Sequence, residues 1–155
     1  MPAGRCLMAA AAGTVKHQAD LRNGTVMTID TTCLLILALW SIPLNHIPAI
    51  ARVAAAGVNW GLGNRDRKPE VAAWVERADR AQRNHHDNLA TIAVAILLVQ
   101  VTGQTDEITG IASIVLVISR ILHSLTYIAG IPVVRSLAYF SGLIAIGTIV
   151  WRLFA

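Results

Sequence analysis

Three residues in the last quarter of the chain have types and spacing that suit chemistry. Arg120, His123 and Tyr127 fall at i, i+3 and i+7, one face of a helix. A second set lies upstream. Arg77, Arg80, Asn84 and Asp87 share one helical face, and Glu76, Arg80, Arg83 and Asp87 form a neighbouring stripe. Acids and bases alternate there, so part of that charge can pair within its own helix. Arg120 and Arg135 have no acid within a turn in sequence, so each is open either to an interhelical partner or to a charged ligand. Guanidinium groups suit carboxylates because they bind them through two parallel hydrogen bonds. Tyr127 and Ser136 add neutral donors. A thiol bound beside an arginine ionises more readily, and the thiolate is the nucleophile.

The elements that carry these residues are apolar. Of 155 residues, 55% are hydrophobic and 14% charged, with a net charge of +4. Soluble domains carry about 25% charged residues. The composition excludes disorder, a collagen-like fibre and a nucleic-acid-binding domain, and points to an all-α integral membrane protein. Four segments are candidate spans, over about 29–57, 72–102, 107–129 and 133–155, which predicts a four-helix bundle. The second is apolar only from Asn88 to Val101. Those 14 residues cover about 21 Å as a helix against a hydrocarbon core of roughly 30 Å. The helix must therefore extend back through the charged stretch, which cannot face lipid. Turn chemistry separates the segments at Gly61–Asn64, Thr102–Gln104 and Gly130–Pro132. Residues 1–26 read as a disordered extension, and 27–155 as the membrane domain. The spacing of Ala138 and Gly142 suggests close helix packing.

The loops set a topology. Arg65, Arg67 and Lys68 lie in the first, Asp106 and Glu107 in the second, and Arg135 follows the third. The positive-inside rule places loops one and three in the cytoplasm, and loop two and both termini on the opposite side. The costly polar groups of three helices then converge at the cytoplasmic end. An ionisable group within a span costs about 2.5–3.5 kcal/mol on insertion scales, so retaining several implies a use. Polar residues gather at one end only, which disfavours a channel. His85 and His86 are adjacent and point about 100° apart on a helix, so they cannot both ligate one haem iron. Cys6 and Cys33 form no disulfide framework, and no metal-ligand spacing is present.

The stretch Glu76-Arg77-Ala78-Asp79-Arg80-Ala81-Gln82-Arg83-Asn84-His85-His86-Asp87 resembles the second-helix signature of the MAPEG family, membrane-associated proteins of eicosanoid and glutathione metabolism. Its pattern is Glu-Arg-x-x-Arg-Ala-x-x-Asn-x-x-Glu. Arg120-Ile121-Leu122-His123-Ser124-Leu125-Thr126-Tyr127 and Arg135-Ser136 resemble the third- and fourth-helix motifs of its prostaglandin E synthase branch. The resemblance implies a homotrimer with glutathione between subunits near the cytoplasmic end. It implies that Arg80, Asn84, Asp87, His123, Tyr127 and Arg135 line the glutathione site, with Arg83 and Arg120 in support and Arg52 as the first-helix arginine. Arg135 is then the residue that stabilises the thiolate, and Ser136 the donor to the thiol. Asp87 departs from the family's glutamate by one methylene. The expected activity is a glutathione-dependent transferase or peroxidase that attacks lipophilic electrophiles from the bilayer. The alternative is a non-catalytic lipid-binding or scaffold protein of the same fold.

Overall fold

The computed structural model describes residues 27–155, so the expectation for residues 1–26 lies outside the described residues. Five helices follow in order: α1 (Ile29–Ala56), α2 (Val58–Leu62), α3 (Ala73–Val101), α4 (Glu107–Ala129) and α5 (Pro132–Arg152). The short α2 occupies part of a stretch that reads as a turn in the sequence. Helices α1, α4 and α5 are long and apolar enough to cross a membrane. Helix α3 is as long, with 29 residues, but polar along its first half. It starts at Ala73 and runs unbroken through the charged stretch, as the length argument requires.

Helix α1 packs on α3 and α4, α3 on α4 and α5, and α4 on α5. Their shared core holds Leu37 from α1, Ile92, Ile96 and Val99 from α3, Leu116 and Val117 from α4, and Ala145 and Ile149 from α5. Outside it, Leu39, Ile42, Ile118, Leu137 and Ile144 stand exposed. In water such a surface would be an aggregation liability; in a bilayer it is the lipid-facing side. Pro43 and Pro48 lie inside α1. Neither can donate to the ladder, so the carbonyls of Leu39 and Leu44 lose their usual donors.

Polar clasps close both ends of the bundle, where the sequence pattern places the polar residues at one end only. The clasp that pattern misses is assembled from single residues of four helices and leaves no run in the sequence. At the end where α1 and α4 begin, Asp30 is only 2% exposed. Ser113 donates to its Oδ1 at 2.6 Å and Thr109 to its Oδ2 at 3.2 Å. Thr28, the N-cap of α1, donates to Gln100 of α3 at 2.7 Å. Asp106 caps α4, taking the Thr109 N–H at 2.9 Å, and pairs with Arg152 at the end of α5. That Thr109 N–H, and then the Arg152 guanidinium, hold the Asp106 carboxyl below the usual carboxylate range. A depressed carboxyl stabilises the fold above its unfolded pKa and loses that contribution as pH falls through its folded value. Acidification through the carboxylate range is therefore expected to lower the thermal midpoint of the wild type more than that of Asp106→Asn. Equal falls in the two proteins would remove Asp106 from this role.

At the other end, Gly130 ends α4 with φ of 79°. A side chain is strained there, so glycine is the fitting residue. Arg77 of α3 donates its Nε to Ile128 O at 2.7 Å, satisfying one of the last carbonyls of α4. Pro132 then opens α5 at a position that needs no N–H. This tight return sets Arg135 of α5 against the last turns of α4.

Candidate functional site

The α4–α5 turn brings His123, Tyr127 and Arg135 together. The Arg135 guanidinium carbon lies 4.7 Å from the centre of the Tyr127 ring, within cation–π range. His123 Nδ1 lies 3.1 Å from the main-chain oxygen of Arg135. A carbonyl oxygen only accepts, so Nδ1 carries the proton. In the neutral ring Nε2 is then a bare acceptor, and it is buried without a partner among the described residues. The His123 ring also sits edge-on to Tyr127 at 5.8 Å and against Tyr139 at 5.9 Å. Arg135 is half-buried and, among the described residues, has no carboxylate within ion-pair distance. The cluster thus offers one free cation, one free acceptor and a phenol.

Deeper on α4, Arg120 is 4% exposed. Its Nη2 donates to Asn84 of α3, to the main-chain oxygen at 3.0 Å and to Oδ1 at 3.2 Å. Its Nε is buried with no partner among the described residues. Among the described residues no carboxylate pairs with it. A buried cation with only neutral acceptors keeps its charge available to an approaching anion. Asn84 and Arg120 therefore form one unit that bridges α3 and α4.

Arg52 of α1 lies differently. Its Nη1 donates to Asp79 Oδ1 at 2.7 Å, its Nη2 to Asp79 Oδ2, and Glu76 stands 3.6 Å away. The fork is spent on the protein's own carboxylates. Among the described residues, Glu76 and Asp79 thus pair across to α1 rather than with the arginines of their own helix. Asp79 and Arg52 border a recess of about 300 Å³ between α1, α3 and the turn after α2, shared with Arg65, Trp60, Gln82 and Arg83.

Arg80, Arg83 and Asp87 stand exposed on α3, and Ser136 on α5. Ser136 Oγ donates to Pro132 O at 3.0 Å. Within one chain, Arg80, Asp87 and Ser136 make no contact with the Arg135 cluster in the hydrogen bonds and ion pairs of the described residues. An outward row of charges on a helix this apolar further along calls for a polar neighbour or water at that depth.

Residues 31–155 match the MAPEG family. The chain belongs to that family. No curated relative and no solved structure matches it. As a MAPEG member it is a membrane protein of a family that includes glutathione transferases and related proteins.

Against the MAPEG pattern, sequence reasoning gave four residues of this neighbourhood no part in a site. Tyr139 lies one turn after Arg135, and that i+4 spacing was the signal for it. Asp79 sits inside the second-helix motif at a position the pattern leaves free. Trp60 lies in the short α2 and Arg65 in the turn after it, a stretch that reads in the sequence only as a turn and a set of loop charges. Among the described residues no group of His, Cys, Asp and Glu side chains is placed to hold a metal ion.

Proposed function

We propose that this MAPEG member is a glutathione-dependent membrane transferase or peroxidase acting on lipophilic electrophiles. The observation that carries the reading is the state of Arg135: half-buried, set over Tyr127, and free of any carboxylate among the described residues. A guanidinium in that setting lowers the pKa of a neighbouring thiol by favouring the thiolate. Arg120 and Asn84 supply a second cationic centre for a glutathione carboxylate, and His123 Nε2 accepts from a ligand N–H or O–H. Tyr127 is the donor near the sulfur, and Ser136 joins it only by turning its hydroxyl away from Pro132 O. The substrate enters sideways from the bilayer. In the transferase reaction the thiolate forms a C–S bond as the leaving group departs with its electron pair and takes up the proton given up by the thiol. In the peroxidase reaction the thiolate attacks a hydroperoxide oxygen, the O–O bond breaks to release the alcohol, and a second glutathione displaces water from the sulfenic acid to give the disulfide.

The assembly proposed is a homotrimer of four-span bundles. The exposed Arg80, Arg83 and Asp87 support it, since a neighbouring copy would cover them and bring them to a shared site. Loops one and three, with the Arg135 end, face the cytoplasm, on the strength of Arg65, Arg67 and Lys68.

The test is an ultraviolet difference spectrum of the detergent-solubilised protein titrated with glutathione near neutral pH. A saturable thiolate band is the expected result. Absence of both a band and calorimetric binding would sink the transferase reading and leave the lipid-binding one. Binding without a band would retain the site and remove its chemistry.

A further inference from the structure

A groove of about 310 Å³ lies between α4 and α5, toward the end where α4 begins. Ile108, Ile111 and Val115 of α4 and Ile144 of α5 form its exposed walls, and the buried Ala112 and Ala145 its floor. From Ile108 to Val115 the helix rises about 10.5 Å. Spread over that length, the volume leaves a section of about 30 Å². A helix about 10 Å across has a section of about 80 Å². The groove therefore admits a single hydrocarbon chain and not a helix, and the bilayer is the source of such chains.

The groove ends at headgroup depth. Trp151 stands exposed just beyond it, as in the aromatic belts of membrane interfaces. Arg152 continues the groove stripe of α5, which runs Ser141, Ala145, Thr148, Arg152 at i, i+4, i+7 and i+11. Its Nη2 donates to Asp106 Oδ2 at 2.5 Å. Its Nη1 makes no hydrogen bond among the described residues, and the side chain keeps 25% of its surface exposed, so a phosphate can reach it. Glu107 adjoins Asp106, about 3.8 Å along the backbone. It is exposed, has no ion-pair partner among the described residues, and lies one turn before Ile111 of the groove wall. The mouth thus offers a donor to a phosphate and, one residue from that donor's partner, a carboxylate to an ammonium. A primary ammonium has N–H groups to give that carboxylate, and a quaternary one has none.

We propose that the α4–α5 groove seats one acyl chain of an ethanolamine phospholipid, with its phosphate on Arg152 and its ammonium on Glu107. Ser141, at the inner end of the groove, lies about 120° round α5 from Arg135, so this site stands apart from the glutathione reading.

The test titrates the full chain in detergent with ethanolamine, choline and glycerol phospholipids of identical acyl chains, counting bound lipid by native mass spectrometry. Wild type is expected to bind the ethanolamine lipid about tenfold more tightly than the choline lipid, the size of one hydrogen bond to a charged group. Glu107→Gln is expected to bring those two within about twofold of each other by weakening the ethanolamine lipid alone. Ser141→Leu fills the groove from an exposed position, and is expected to weaken all three lipids alike by about fourfold, the worth of one buried methylene. Val150→Leu, half a turn round α5 from Ser141, leaves binding intact. Equal binding of the ethanolamine and choline lipids to wild type, tighter binding of the glycerol lipid, or a preference that survives Glu107→Gln overturns the proposal. So does Ser141→Leu if lipid binding is unchanged, and a shift of oligomer size in that variant would give the groove to a second copy of the chain.

Discussion

Arg135→Ala is expected to lower glutathione-dependent turnover by about 10²–10³-fold, the cost of removing one preorganised charge from a developing anion. The thiolate band should vanish in the same variant. Its fold should survive, for reasons visible in the contacts. The hydrogen bond from His123 reaches the main-chain oxygen of Arg135, which alanine retains. The side chain gives up a cation–π contact worth about 0.5–2 kcal/mol and no ion pair. Arg135→Lys separates charge from shape. Lysine keeps the cation but lacks the planar fork, so a partial loss is expected. Steady-state assays with oligomer size measured in parallel check this. Unchanged turnover in Arg135→Ala with intact assembly would remove the residue from its assigned role.

The sequence made the helices and their polar end legible because both follow from one-dimensional rules. A span needs a length, and Asn88–Val101 was too short, so α3 had to include its charged half. Turn residues at Gly130 and Pro132 placed the α4–α5 return to within a residue. Periodicity put His123 and Tyr127 on one face, and the structure sets both rings together. Partner choice was not legible. Nothing local indicates that Asp79 pairs with Arg52, 27 residues away, rather than with an arginine one turn along α3. That choice depends on the rotation of α1 against α3, which packing decides. Exposure was hidden for the same reason. Arg83 and Asn84 are neighbours in sequence, yet Arg83 faces outward and Asn84 meets Arg120. The sequence also supplies the residues of one chain only, so a face completed by another copy reads as exposed charge.

The second large effect is on stability, at the crossing of α4 and α5. A Cβ built at Gly142 meets Ser119 Oγ at 2.8 Å and Arg120 Cδ at 3.6 Å. Ser119 is buried and donates its hydroxyl to Leu116 O at 2.9 Å, so it cannot turn aside without giving up that bond. Gly142→Ala therefore forces the two helices apart, at about 1–3 kcal/mol for overpacking. The same change also gains about 0.8–1 kcal/mol of helix propensity, which hides part of the cost. Gly147→Ala supplies the correction, because nothing among the described residues lies within 4 Å of its Cβ and it gains the same propensity. The difference in stability between the two variants isolates the contact, and Gly142→Leu should exceed it. Ser119→Ala removes the obstructing oxygen, so the double variant Ser119→Ala/Gly142→Ala should recover most of that difference. Additive losses in the double variant would show that the strain lies elsewhere. Recovery would also bear on the site, since Arg135 rides on α5 two turns from Gly142, about 10 Å along the axis. A shift of α5 at the crossing is then expected to weaken glutathione binding in Gly142→Leu and to spare it in Gly147→Ala, by the same titration in both proteins.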